Sequence, residues 1–454
     1  MSRQFITVDY EATLKQTVTI EECLPADHLA RFIVGMIAML DLRAIYARYA
    51  AVGGAAFAPE LLLGLLFYGY ATGVFSARKL EKATYESIPF RFIAGDLHPD
   101  HDTLAHFRKT FLPQISDLFV QVLLVAADLG VLKVGHINVS FDGSKIHADA
   151  SKSHAVSYDR LLELEDQLRS EVAELLALGE QADQAVLPAG LDIVDEVAMR
   201  QQRLGNLAAA KQVLAARAQE RDAAEQADYA AKLLARQAKT QETGRKPGGR
   251  PPVPPTPGIR PDDQYNFTDP DSRIMKNSTD QGFDQAYNAQ AVVDQATLLV
   301  VGNRVTNHPN DKNETLPDLD AIPAAVGRPQ AAAGDTGFYS AANSAGLEAR
   351  GIAPYLATGR EAHHLNWREY FAAQPTPPPA DASPVVKMAY KLRTALGQAI
   401  YRLRKCTVEP VFGIIKETLG FRQFSLRGLG AVAGEWCLVC LAFNLKRLHV
   451  LTAN

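Results

Sequence analysis

The chain has 454 residues, of which 47% are hydrophobic and 22% charged, and its formal net charge is −4. This length allows two or three domains, and this composition is typical of a soluble globular protein. Four cysteines in this spacing form neither a zinc module nor a disulfide scaffold, and the N-terminal residues show no apolar signal segment. We therefore expect a cytoplasmic protein without a membrane partner.

Positive charge is concentrated near the end of the sequence. Residues 387–447 contain eleven Lys and Arg against three Glu, a local net charge of +8 in an otherwise acidic chain. Such a segment predicts one surface for a polyanion such as DNA; the alternative is a solvated helix face. The residues of this segment that we expect at DNA phosphates are Arg402, Arg404, Lys405, Arg422 and Arg427.

Residues 1–133 are predicted to form a helical N-terminal domain. Stretches such as "APELLLGLLFYGYATG" start with small residues or proline and continue with helical apolar spacing. Arg78 and Lys79 fall on one short helix, and Arg108 and Lys109 on another. These basic pairs are compatible with a DNA-binding helix-turn-helix and equally with an ordinary helical bundle, which the spacing alone favours.

A β-strand is predicted within 134–156, the first part of an α/β domain. Ile137, Val139 and Phe141 alternate with polar residues up to Asp142, where the apolar alternation stops. Asp142-Gly143 is a strong turn dipeptide, so a hairpin turn is the simplest interpretation. The alternative is that Asp142 is delivered by a rigid strand to a site that further acids complete.

Residues 157–262 are predicted to be an insertion. Its 157–243 part is rich in Ala, Leu, Glu and Gln, with sixteen acids and ten bases. It predicts two or three long amphipathic helices, interrupted near 187–190, that form a helical hairpin for packing or dimerisation. Seven prolines follow between positions 247 and 261 and predict an extended linker. The pieces "GRKP" and "GRP" also resemble hooks that enter the DNA minor groove, a less common use of such segments.

The domain resumes in 263–454. Strands are predicted in "AYNAQAVVD", "TLLVVGNRVT" and "IAPYLATG", and a short buried run in "AAAGDTGFYS" leads into a helix capped by Ser340. Trp367 is interpreted as a packing anchor rather than a surface that stacks on a base. Strands, an insertion, strands again and terminal helices predict one split α/β domain.

Two further acids could join Asp142. Asp335 follows the short apolar run, where the end of a strand would place it, and Glu409 lies in "CTVEPVFGIIK". Thr407 is a candidate cap for that helix, with Pro410 in its first turn, and Lys416 lies about two turns beyond Glu409 on the same face. Carboxylate oxygens suit Mg²⁺, and a lysine adds a point charge for a phosphate.

These segments together resemble the bacterial insertion-sequence transposases of the DDE class, which have a ribonuclease H-like catalytic domain. The resemblance covers nearly the whole length, through "LLFYGYATGVFSARKLEKA", "HPDHDTLAHFRKTF", "FDGSKIHADASK", "GDTGFYS" and "VEPVFGIIKETLGFRQFSLRG". It implies an α/β (overall α+β) fold, with a mixed sheet flanked by helices, interrupted by a long helical insertion, and preceded by a helical domain.

The resemblance also implies roles for individual residues. Asp142, Asp335 and Glu409 would bind two Mg²⁺ or Mn²⁺ ions, and Lys416 would be the helix lysine of the site. Related groups place a Tyr seven and an Arg four residues before the Glu; here Tyr401 and Arg404 are each one residue off.

The implied activity is cleavage of transposon ends and their joining to target DNA, by a homodimer in the DNA complex. The alternatives are an inactive or domesticated DNA-binding regulator and a metal-dependent nuclease without strand transfer.

Overall fold

A computed structural model of the chain describes residues 19–49, 55–182, 192–245, 248–276, 282–359 and 376–453. Trp367 and the predicted break at 187–190 lie outside these residues. The chain divides into two compact units, one formed by 1–149 with 275–454 and the other by 150–274.

The N-terminal part of the first unit is helical, as predicted. Its helices bury their apolar side chains, and Leu63, Leu65 and Phe67 have no exposed surface. The helices are α1 (Ile20–Cys23), α2 (Leu29–Ala38), α3 (Arg43–Tyr46), α4 (Pro59–Thr72), α5 (Ala77–Glu86), α6 (Ile88–Ala94), α7 (His101–Thr110) and α8 (Leu112–Asp128).

The centre of the first unit is a six-stranded mixed sheet. Its strands are β1 (Asn138–His147), β4 (Arg273–Lys276), β5 (Phe283–Asp294), β6 (Val300–Thr306), β7 (Ala331–Gly334) and β8 (Ala353–Leu356). They lie in the order β4-β5-β1-β7-β8, and β6 also pairs with β5. β1 is antiparallel to β5 and parallel to β7, and β7 is parallel to β8. This is the mixed arrangement expected from the resemblance.

Small residues let β7 sit in the middle of this sheet. All four residues of β7 are buried, and a Cβ on Gly334 would lie 2.7 Å from the ring of Phe141 on β1. A larger residue there would displace the Phe141 ring. After β7, helix α12 (Ala341–Ala349) begins as predicted, because the side chain of Ser340 accepts a hydrogen bond from the N–H of Asn343.

The C-terminal helices pack against the sheet and the N-terminal helices. They are α13 (Pro384–Arg393), α14 (Ala395–Gly413), a π-helical turn at Ile414–Thr418, and α15 (Leu429–Thr452); the short α11 (Thr315–Asp320) follows β6. By length and composition α15 could cross a membrane, but 72% of its most apolar window is buried within the protein. It packs against α4, α8 and β6, as a core helix does.

The predicted start of helix α14 is wrong. The helix is capped by Thr394, whose hydroxyl accepts from the N–H of Gly397, and it runs through Thr407 and Pro410. Pro410 lacks the N–H that would bond to the carbonyl of Cys406, so the helix continues past Pro410 without that hydrogen bond.

The second unit is built on a helical hairpin, as the composition of the insertion predicts. Helix α9 (Tyr158–Ala182) packs against α10 (Ile193–Thr243) through Leu161, Leu207 and Leu214. A short ladder of β2 (Ala155–Ser157) and β3 (Gln264–Asn266) closes its base.

The proline-rich segment is not a free linker. Its residues 248–261 contact the second half of α10, where Arg236 donates to the carbonyl of Gly249, and Asp222 accepts from the N–H of Gly258. Lys246 and Pro247 of the predicted "GRKP" hook lie outside the described residues.

Candidate functional site

The parallel register of β1 and β7 brings Asp142 and Asp335 together. Ser140 pairs with Ala333, and each acid lies two residues further along its strand direction. Neighbouring strands are about 4.8 Å apart, so the two carboxylates leave adjacent backbone positions at the same edge of the parallel ladder. The N–H of Gly143 donates to Asp142 Oδ1 at 2.8 Å, and that of Gly337 donates to Asp335 Oδ1 at 2.8 Å.

The hairpin interpretation of Asp142-Gly143 is wrong. Strand β1 continues through Asp142 to His147, because its antiparallel pairing with β5 extends from Val139 to His147. What ends near Asp142 is the parallel pairing with β7, which stops at Ser140. The turn dipeptide is therefore tolerated inside a strand whose second partner has just been lost.

Glu409 reaches this edge of the sheet from helix α14 through a bridging arginine. The guanidinium of Arg404 lies 3.7 Å from Asp142 Oδ2 and 3.2 Å from Glu409 Oε1. The ring of Tyr401 lies 5.8 Å from the same guanidinium. Arg404 was predicted as a DNA contact, but it is 8% exposed and belongs to the carboxylate site.

The surroundings of Asp142 disfavour its ionised form. Burial, reinforced by the like charge of Asp335, raises the pKa of Asp142 to about 7, although the Gly143 N–H and Arg404 oppose the shift. A divalent cation would reverse this preference, since it would compensate the crowded negative charge.

Lys416 holds the strand that carries Asp142. It lies in the π-helical turn, and its Nζ donates to the backbone carbonyl of Lys145 at 2.8 Å. Burial, with a smaller contribution from Arg422, lowers its pKa. The ammonium is thus anchored beside β1, on the chain segment that follows Glu409.

The remaining predicted DNA contacts divide by exposure. Arg108 is buried, where its guanidinium donates to the hydroxyl of Tyr70 and the carbonyl of Phe75, so we no longer assign it to DNA. Arg422 and Arg427 are more than half exposed, beside Glu417 and Asp149 respectively. The other exposed members of the predicted set are Arg78, Lys79, Lys109, Arg402 and Lys405.

The sequence interpretation missed a polar cluster around Asp311. Asn288 and Gln290 on β5 both donate to Asp311 Oδ1, at 2.6 and 2.9 Å, and Lys145 Nζ lies 3.8 Å from the same oxygen. The available signal was the placement of two amides at alternate positions of an otherwise apolar strand, which puts them on one face.

The carboxylate oxygens of the three acids suit a hard divalent cation, although the three side chains do not converge on one point in this structure. Within the described ranges, no three His, Cys, Asp or Glu side chains are close enough together to hold a metal ion. Asp142 and Asp335 offer carboxylate oxygens from adjacent strands, whereas Glu409 is turned toward Arg404. Oxygen ligands of this kind fit Mg²⁺ or Mn²⁺ better than zinc.

The first unit is thus a mixed sheet flanked by helices with acids at one edge, and comparison with known families adds to this description. Residues 18–110 match a transposase domain of the DUF772 family, and residues 380–449 match a transposase DDE domain. No curated protein and no solved structure matches the chain. The second match contains Glu409 and Lys416, whereas Asp142 and Asp335 lie outside both.

Two segments of the chain are thus similar to transposase domains, which supports an insertion-sequence DDE transposase. The match to the DDE domain supports an enzyme that acts on DNA, and the DDE transposase family generally uses divalent metal ions.

Proposed function

We propose that this transposase cuts the ends of its insertion sequence and joins the freed 3′ ends to target DNA. Asp142, Asp335 and Glu409 would hold two Mg²⁺ or Mn²⁺ ions, which supply charge neutralisation at the scissile phosphate and activate the attacking oxygen. The observation that carries this proposal is the register of β1 and β7, since it brings two carboxylates to one sheet edge next to the helix of Glu409.

The chain's own residues would prepare this site in distinct ways. Gly143 and Gly337 orient the two aspartates through their N–H groups. Arg404 would release Glu409 when a cation takes over the compensation of charge, and Lys416 would place a positive charge close to the phosphate. The exposed basic residues, with Arg422 and Arg427 foremost, would contact the DNA backbone of the terminal repeats and target.

The test is a cleavage and joining assay on labelled DNA that flanks the native gene, with a target plasmid. Wild type should yield joined product in Mg²⁺ or Mn²⁺, while Asp142→Ala, Asp335→Ala and Glu409→Ala should bind ends but yield neither cut nor joined DNA. Asp320→Ala, which removes an exposed acid paired with Arg350, is the matched control and should remain active.

The outcomes separate the alternatives. Cutting without joining would indicate a nuclease, and binding without cutting would indicate a DNA-binding regulator. If one of the three alanine variants cuts at the wild-type rate, the acid that it lacks is not a metal ligand. We further propose that the enzyme acts as a homodimer in the cytoplasm, so that one complex can pair two ends.

A further inference from the structure

A polar cluster lies on the sheet face opposite the Asp142 side chain. On the β1–β5 ladder, Gly143 pairs with Gln290 and Lys145 with Asn288. Side chains alternate along a strand, so these positions share one face, whereas Asp142 projects from the other. Asp311, in the connection between β6 and α11, brings its carboxylate over this group.

The cluster has a feature that packing alone does not explain. Asn288 and Gln290 have no exposed surface, and both direct their NH₂ groups to one oxygen of Asp311. Their own oxygens, Asn288 Oδ1 and Gln290 Oε1, are buried without a hydrogen-bond partner among the described residues. Unpaired buried amide oxygens lower the stability of the fold. The carboxylate of Asp311 therefore stabilises an orientation of the two amides that would otherwise be unfavourable.

The side-chain amides of Asn288 and Gln290 pack against the backbone of Gly143, next to Asp142. A Cβ on Gly143 would lie 2.3 Å from Gln290 Nε2 and 2.6 Å from Asp311 Oδ1, so only glycine fits this position without displacing the cluster. The N–H of the same Gly143 donates to Asp142 Oδ1 at 2.8 Å. The peptide that the cluster packs against is therefore the one that orients the Asp142 carboxylate.

We propose that Asp311 is a positioning residue of the transposase site: through Asn288 and Gln290 it fixes the Gly143 peptide, and thereby the direction of the Asp142 carboxylate. The idea rests on the proposed function, because it requires Asp142 to bind a divalent cation. Asp311 itself lies behind the sheet and is not a ligand. Partners of this kind typically change metal affinity or activity by about 10–100-fold when they are removed.

The test compares Asp311→Ala, Asp311→Asn and the control Asp320→Ala in the full chain. Mn²⁺ binding is followed by electron paramagnetic resonance, and the Mg²⁺ concentration for half-maximal cleavage is measured alongside end binding and thermal unfolding. Asp311→Ala should weaken Mn²⁺ binding and raise the required Mg²⁺ concentration by about 10–100-fold. Asp311→Asn keeps an acceptor oxygen for both amides and should recover most of the binding, while Asp320→Ala should match wild type.

The Cβ of Gly143→Ala would displace the amides and the Asp311 carboxylate from the Gly143 backbone, so this variant should also weaken Mn²⁺ binding. It keeps the test valid if Asp311→Ala fails to fold. Mn²⁺ binding in Asp311→Ala or Gly143→Ala equal to that of Asp320→Ala would overturn the proposal. A lower unfolding temperature with an unchanged metal response would also overturn it, by indicating a purely structural role. A wild type that neither binds Mn²⁺ nor cleaves DNA would instead contradict the proposed function.

Discussion

The guanidinium of Arg404 lies 3.2 Å from the carboxylate of Glu409, on the helix that supplies the third acid. Because Arg404 also approaches Asp142 at 3.7 Å, a single cationic side chain connects acids from a strand and a helix. Its position is one residue away from the spacing of related groups, yet its guanidinium contacts both acids.

Replacing Arg404 should destabilise the metal-free protein more than the Mg²⁺-bound protein. In Arg404→Met, Asp142 and Glu409 lose their shared counter-charge, which should cost about 1–3 kcal/mol of unfolding free energy. Saturating Mg²⁺ should reduce this cost, because the cation compensates the same acids. Thermal unfolding in EDTA and in Mg²⁺ measures both, and Arg402→Met on the exposed side of α14 is the control. An equal loss of stability with and without Mg²⁺ would show that Arg404 and the cation do not compensate the charge of the same carboxylates.

The raised pKa of Asp142 predicts a specific dependence of stability on pH. Its folded-state pKa is about 7, well above the usual value for an aspartate, so the folded state binds the proton more tightly than the unfolded state. The contribution of Asp142 to stability is therefore largest at low pH and is lost as pH rises from about 4 to about 7, by a few kcal/mol at most. Asp335 and Asp311 add to this loss, and Arg404 reduces it.

Asp142→Asn removes that titration. Without divalent ions, the variant should gain stability relative to wild type as pH rises through this window, and the difference should become constant above about pH 8. Urea unfolding across pH 4–9 in EDTA measures it. Asp318, whose pKa is also raised to about 7, titrates in both proteins and cancels in the comparison. A pH-independent difference between the two proteins would contradict the shift.

The sequence predicts the order of elements better than the geometry of the site. The alternation in β1, the cap of Ser340 and the hairpin of the insertion follow from local periodicity, and the structure has all of them. The register that joins Asp142 to Asp335 depends on long-range pairing, which no local pattern encodes. The same holds for Asp311, whose role depends on two amides on another strand, and for Arg108, whose burial depends on partners from another helix and a connecting segment.

Deleting the helical hairpin should separate assembly from chemistry. Tyr158 N–H donates to the carbonyl of Asp263 at 2.9 Å, and Ser157 pairs with Gln264, so the two ends of the hairpin meet. Replacing residues 158–263 with Asn-Gly would close β2 and β3 as a two-residue hairpin turn. The shortened protein should still bind Mn²⁺ and single DNA ends but lose paired-end complexes in native gels. Undiminished pairing of ends would exclude the hairpin as an assembly element.

Exposed arginines and Lys416 should respond differently to charge removal. Each phosphate neutralised on duplex DNA contributes a slope of about −0.9 to the log–log dependence of affinity on salt. An Arg422→Gln/Arg427→Gln double variant should therefore flatten the slope by up to about 2 and weaken binding to all sequences alike. Salt titrations of end binding measure this, with Arg328→Gln outside the basic segment as control. Identical slopes would mean that the basic segment is a solvated face.

Lys416→Ala should instead reduce the cleavage rate more than affinity, because its ammonium is bonded to the strand of Asp142. Single-turnover cleavage and end binding under the same conditions separate the two effects. An equal loss in both would assign Lys416 to general phosphate binding.

A buried network ties the N-terminal helices to the loop that carries Arg427. Glu435 on α15 has no exposed surface; it accepts from the hydroxyl of Tyr70 on α4 and from the N–H groups of Ser425 and Leu426. Arg108 on α7 lies 3.8 Å from the same carboxylate and donates to the Tyr70 hydroxyl. Glu435→Gln keeps the shape but leaves the buried guanidinium without its counter-charge. Breaking a buried pair in this way costs about 3–5 kcal/mol.

We expect Glu435→Gln to lose much of this free energy of unfolding, and Arg108→Met together with Glu435→Gln to recover part of it, since the double variant removes both charges. Urea unfolding of the two single variants and the double variant gives the coupling directly. Glu417→Gln, an exposed acid beside Arg422, should change stability by no more than about 0.5 kcal/mol. Additive losses in the double variant would mean that Arg108 and Glu435 contribute to stability independently.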